Sequence, residues 1–211
     1  MNLNRGQIIA DGNRSRNNQL NCPTDIIFDK ENNSFIISDW RYKRVIRYFD
    51  QNQQITISNV DCHGLSIDEN GLIYVSDCNK HGARRWKQGD KKGELVTGGN
   101  GQKNHFNQLN SPNYICIHED DSLYISDWYN HCCEGDAEGE VIVGGNGKGN
   151  QLNSLIGLSF DNENIYVVDN GNHRIQKIRT NFNFKMVLIY LDKISIFIFE
   201  NKLKILVYQK S

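Results

Sequence analysis

One short phrase occurs four times in this chain: Phe35-Ile36-Ile37-Ser38-Asp39, Ile73-Tyr74-Val75-Ser76-Asp77, Leu123-Tyr124-Ile125-Ser126-Asp127 and Ile165-Tyr166-Val167-Val168-Asp169. Each is a β-branched and aromatic run, the composition of a buried strand, and each closes on an aspartate. The aspartates follow one another at intervals of 38, 50 and 42 residues. A single ordinary core has no reason to repeat itself. A period of roughly 40 residues built on strands marks a chain of stacked sheet units.

The second copy shows the unit most clearly. Leu65-Ser66-Ile67-Asp68 alternates like a half-buried strand, Glu69-Asn70-Gly71 supplies a turn, and Leu72 to Ser76 returns. Asn-Gly between two apolar runs is a strong hairpin signal, because both residues tolerate positive φ. The other copies keep the hairpin with different turn chemistry, after Ile26–Asp29, Tyr114–Ile117 and Leu158–Asp161. A polar turn and a third strand follow each aspartate, with Tyr48, Trp86 and Ile178 at the ninth position after it. Copy three has Asp136 there, so its third strand is expected to be broken or deleted. Gln54–Ile57, Glu94–Thr97 and Glu140–Val143 read as fourth strands.

Linkers repeat as well. Gly98-Gly99-Asn100-Gly101 leads through Phe106 and Leu109 to Pro112, and Gly144-Gly145-Asn146-Gly147 leads through Leu152 to Leu155. An earlier version, Asp11-Gly12-Asn13 through Leu20 to Pro23, opens the chain. Their apolar residues are expected to plug the seams between units. The predicted fold is all-β: a β-propeller of four-stranded antiparallel blades over residues 1–180, with about four blades visible and the set incomplete. Such a fragment would leave sheet edges open to self-pairing.

Residues 181–211 break the pattern. They hold no glycine and no closing aspartate, and their apolar stretches, Met186–Leu191 and Ile194–Phe199, are split by Asp192-Lys193. The tail is too short and too charged to span a bilayer. We expect it not to be a native blade, its composition being that of translated AT-rich non-coding sequence.

A net charge of −1 gives no bulk attraction to nucleic acid or to an anionic membrane. Six cysteines without a C-x-x-C pair read as free, mostly buried thiols rather than as a disulfide framework or a zinc site. No apolar leader follows Met1, which at face value suggests the cytoplasm, although the chain reads as starting inside a repeat.

The residues after the aspartates carry a resemblance. Asp169-Asn170-Gly171-Asn172-His173-Arg174-Ile175-Gln176-Lys177 resembles the core of an NHL repeat, and Asp127-Trp128-Tyr129-Asn130-His131 matches its first half. Asp39-Trp40-Arg41-Tyr42-Lys43-Arg44-Val45 and Asp77-Cys78-Asn79-Lys80-His81-Gly82-Ala83 are degenerate versions in the same register. The resemblance covers Gly6 to about Arg179 and implies a propeller of a family that usually closes with six blades. It also implies three functions: a protein-interaction scaffold, as in substrate-recruiting modules of ubiquitin ligases; single-stranded RNA binding by the rim; or a zinc-dependent peptidyl-hydroxyglycine lyase. The array of cysteines and histidines that a RING finger needs is missing from this sequence.

Repetition itself argues about chemistry. Asp39, Asp77, Asp127 and Asp169 could suggest acid–base work or calcium, but a catalytic group is needed once and these recur in every copy. An aspartate ending a strand accepts hydrogen bonds from the backbone N–H groups of the following turn. His81, His131 and His173 share the position four residues after the aspartate, with no nucleophile beside them, and read as turn-stabilising. His63, His105 and His118 make no metal-binding pattern. The glycine-rich linkers open no helix, so they read as turns and not as phosphate loops. No catalytic residue, cofactor or metal site is therefore predicted. The non-repeated Trp40, Trp128 and Tyr129 belong on one rim, either as anchors for a protein partner or as packing between turns. Basic clusters at Lys43-Arg44-Arg47 and Arg84-Arg85-Lys87 with Lys91-Lys92 could hold RNA phosphates or form a solvated strand edge. A protein partner is the leading expectation, RNA the lesser one, and a membrane none.

Overall fold

A computed structural model describes residues 19–49, 52–99, 108–118, 122–128, 132–135, 140–144, 153–161 and 164–179. Among these residues the regular elements are strands and two short 3-10 turns. Blade 1 comprises β1 (Pro23–Asp29), β2 (Ser34–Asp39), β3 (Arg44–Phe49) and β4 (Asn52–Ser58). Blade 2 holds β5 (Cys62–Ile67), β6 (Ile73–Asp77), β7 (Gly82–Trp86) and β8 (Glu94–Gly98). Blade 3 holds β9 (Pro112–Ile117), β10 (Leu123–Asp127), β11 (Cys132–Gly135) and β12 (Glu140–Gly144), and blade 4 holds β13 (Leu155–Asp161), β14 (Asn164–Asp169) and β15 (Arg174–Arg179). Every sheet is an antiparallel meander in chain order, with four strands in blades 1 to 3 and three in blade 4. The first strands β1, β5, β9 and β13 contact one another in succession, so the sheets radiate from a common axis.

Copy three departs from the sequence expectation. Its third strand is neither broken nor deleted: β11 pairs with both β10 and β12. It is four residues long, against six for β3 and five for β7. The strand ends before Asp136, where the other blades still carry a large apolar side chain. The proposed tail, residues 181–211, lies outside the described residues.

Apolar side chains meet between sheets rather than within one layer. Ile36, Val45, Val60, Leu65, Val75 and Trp86 fill the first seam. Tyr74, Leu109, Ile115 and Ile125 fill the second, and Tyr124, Leu155, Leu158 and Val167 the third. Alternation along each strand sends one set of side chains to each neighbouring blade, which is why both faces of an inner sheet are apolar. Leu109, in the linker before β9, and Leu155, where the next linker enters β13, are fully buried in these seams. At roughly 1.5–3 kcal/mol for each fully buried aliphatic side chain, the seams are the main source of cohesion.

Linker length explains the uneven period. Only Asn59–Asp61 separate β4 from β5, whereas residues 99–111 separate β8 from β9. The long linker leaves its strand through Gly98 and Gly99, at φ +74° and +77°. A Cβ on Gly98 would lie 2.4 Å from the His81 carbonyl oxygen, so this turn requires glycine twice over.

Candidate functional site

The strand-ending aspartates build one rim. Each pairs with the first residue of its sheet: Asp39 with Pro23, Asp77 with Cys62, Asp127 with Pro112 and Asp169 with Leu155. In all four sheets the register slips just after that pair. Such a bulge re-aims the side chains beside it, and all four aspartates are fully buried.

Their hydrogen-bond donors differ from those the sequence suggests. In three blades a backbone N–H of the incoming linker donates to the carboxylate: Asn21 to Asp39 at 2.6 Å, Asn110 to Asp127 at 2.9 Å and Asn153 to Asp169 at 2.7 Å. Asp77 instead accepts a backbone N–H of its following turn, from Lys80 at 3.2 Å. The short linker accounts for this exception, because Val60, which stands where the other linkers have asparagine, donates instead to the Lys43 carbonyl.

Cations complete the brackets, and these the sequence reading missed. Arg44 Nε lies 2.8 Å from Asp39 and Arg174 Nε 2.6 Å from Asp169, while Lys80 Nζ lies 2.9 Å from Asp77. Burial pushes the Asp169 carboxyl up, but Asn172, Arg174 and the Asn153 N–H outweigh it and hold it below the ordinary carboxylate range. The recurring arginine five residues after the aspartate was the available signal, present in two copies.

The serine before the aspartate in blades 1 to 3 is the second missed feature. Ser76 Oγ accepts from the Gly64 N–H at 2.8 Å, and Ser126 Oγ from the Tyr114 N–H at 2.9 Å, so the hydroxyl satisfies the backbone freed by the bulge. It also crosses the seam: Ser38 donates to the His63 carbonyl at 3.0 Å and Ser76 to the Asn113 carbonyl at 2.7 Å. Blade 4 has Val168 instead, and Gly157 makes room for it: a Cβ there would meet Val168 Cγ2 at 3.1 Å.

His81 does not stay within its own turn. Its backbone is left-handed, as at Lys43 and His173, and its Nδ1 accepts from the Ser111 N–H of the next blade's linker at 3.1 Å. Lys43 makes the equivalent link from blade 1, with Nζ 3.0 Å from Asp61. His173 is exposed, and His131 lies outside the described residues.

Non-repeated side chains gather at the mouth of the axis, where the first strands begin. The second position of those strands carries Thr24, His63, Asn113 and Ile156. Trp40 is half-buried with its ring 5.3 Å from that of His63, and Arg41 lies 5.7 Å over the indole. The Asn113 side chain hydrogen-bonds His63, whose imidazole is pulled below its ordinary range chiefly by burial. It is therefore neutral at neutral pH. The Trp40 indole N–H donates to the Cys78 sulfur. Trp128, on the same rim, keeps 37% of its surface exposed. Tyr129 lies outside the described residues.

Burial pushes the Cys62 thiol up to about 12 and those of Cys78 and Cys116 to about 11, leaving little thiolate for nucleophilic attack. Among the described residues no group of histidine, cysteine and acidic side chains is placed to hold a metal ion. The basic cluster of blade 1 is engaged internally: Arg44 on Asp39, Arg47 on Asp29 and Lys43 on Asp61.

Four antiparallel meanders around an axis, with their cores in the seams, define a β-propeller protein. Residues 152–178 match the NHL repeat. Solved structures share the fold. A gluconolactonase from Xanthomonas campestris superposes with a TM-score of 0.65 at 16% identity, covering 76% of this chain and 59% of its own. A chain of a nidogen/laminin complex gives 0.59 at 15%, covering 80% and 63%. Virginiamycin B lyase from Staphylococcus aureus gives 0.52 at 11%, covering 75% and 55%. The chain spans less than two thirds of the length of each of these three. No curated protein matches the sequence.

Proposed function

We propose that the chain is a non-catalytic interaction module that presents its aspartate-ended rim to a protein partner, as substrate-recruiting propellers of ubiquitin ligases do. The supporting observation is a division of labour on that rim. The repeated Asp, Ser and His81 side chains are occupied in backbone and seam bonds, while the surface above them carries the non-repeated Arg41, Trp40, His63 and Trp128. Large aromatics with a polar edge, close to a cation, are favoured anchors at protein interfaces. One structural neighbour is a chain of a protein–protein complex, and two are enzymes. RNA binding draws less support, since Arg44 and Arg47 of the blade 1 basic cluster are buried in ion pairs.

A photo-crosslinkable residue placed at Trp128 should capture one protein in the native cell, at near-equal stoichiometry and regardless of nuclease. The same residue at Asn70, in the hairpin turn at the opposite end of blade 2, should not. Capture from both positions alike, or capture lost on nuclease treatment, would overturn the proposal.

A further inference from the structure

The first and last described sheets expose side chains whose described counterparts in the other blades are buried. Ile26 holds the β1 position that Leu65, Ile115 and Leu158 hold in the other blades. Those three are 2%, 1% and 5% exposed, each packed against the preceding blade, whereas Ile26 is 49% exposed. At the other end, Ile175 holds the β15 position that Val45 and Ala83 hold in β3 and β7. Both of these are fully buried at 0%, and Ile175 is 62% exposed. One end of the molecule is thus the front half of a seam and the other end is the back half.

Polar groups match in the same sense. Across the second seam, His81 Nδ1 accepts from the Ser111 N–H. The equivalents are His173 on blade 4 and Cys22 before blade 1. Both are exposed, with φ of 53° and 56° against 48° and 57° for the bonded pair. Ser66 Oγ accepts from the Ile117 N–H, and the equivalents are the exposed Ser159 and Phe28, the latter 45% exposed.

We propose that the blade 4 face of one copy of this chain docks on the blade 1 face of a second copy, reproducing an internal seam between molecules. Ile175 would pack beside Ile26, and His173 would accept from the Cys22 N–H. The contact is heterologous, using different surfaces on the two partners, so assembly continues past a dimer unless the rotation closes a ring. Val168 in place of the serine of blades 1 to 3 removes one cross-seam hydroxyl bond, which makes this seam weaker than those within the chain.

Sedimentation of the full chain over a concentration series tests this. The wild-type mass should grow beyond a dimer as concentration rises. Ile26→Asp and Ile175→Asp each place a carboxylate in the joint and should weaken association on the order of a hundredfold, leaving either variant alone monomeric. Both positions are exposed, so folding should survive, as circular dichroism would show. Mixed together, the variants should form a one-to-one dimer and stop, because each keeps one intact face and they keep opposite ones. Three results would overturn the proposal: a wild-type chain monomeric throughout, Ile175→Asp alone still associating, or a mixture that stays monomeric.

Discussion

Asp39→Ala should destabilise the protein by about 3–5 kcal/mol, the usual cost of stranding a buried charge by removing its partner. Asp39 is fully buried, and the Arg44 side chain that bonds it is 8% exposed. Without the carboxylate, the guanidinium keeps the Gln19 carbonyl at 2.7 Å but loses the charge that Asp39 sets against it. The Asn21 N–H loses its acceptor as well. Asp77→Ala is the informative contrast. Its partner Lys80 is 52% exposed and can return to water, so the loss should be nearer ~1–2 kcal/mol, mostly that of an unsatisfied backbone N–H. Urea unfolding with an unchanged m-value measures both. Equal losses at the two positions would mean that the cation partners do not set the cost.

Leu109→Ala should cost about 2–5 kcal/mol, as large-to-small changes do in closed cores. The size of this effect is unusual for a residue in a linker between strands. Leu109 has no exposed surface and sits among Tyr74, Ala83, Ile115 and Ile125, which belong to blades 2 and 3. Its loss therefore opens a void between two blades, where neither sheet can collapse without moving the other. A shift in thermal midpoint of less than a degree or two would show that the seam does not depend on its linker plug.

Several of these elements were legible in the sequence because their cause is local. Alternation at Leu65–Asp68 and the Asn-Gly turn define a hairpin from a few neighbouring residues. The fourth strands were legible in the short runs Gln54–Ile57, Glu94–Thr97 and Glu140–Val143. The contacts that bind one blade to the next were not legible, since they join residues far apart in sequence. Ser38 meets the His63 carbonyl, His81 meets Ser111, and the Trp40 ring meets that of His63 at a tilt, each across a seam that no local pattern encodes. The same limit hid the donors to the aspartates: the following turn lies closest in sequence, but the bulge aims the carboxylates at the preceding linker. Arg44 and Arg47 misled for a related reason. In sequence they form a basic cluster, whereas in the fold each is turned inward onto its own aspartate. The third strand of blade 3 was obscured because Asp136 falls at the register position where its neighbours are apolar, just past the end of the shortened strand.

The linker amides offer the sharpest test of whether the recurring carboxylates serve as brackets of the fold. Native-state hydrogen exchange, resolved to single residues, reads the N–H groups of Asn21, Asn110 and Asn153 directly. Exchange as slow as in the β2, β10 and β14 strands is predicted, although each of the three lies in a linker, just outside the first strand of its blade. Exchange as fast as at Gly89, in the exposed turn between β7 and β8, would contradict it and return the aspartates to candidacy for chemistry.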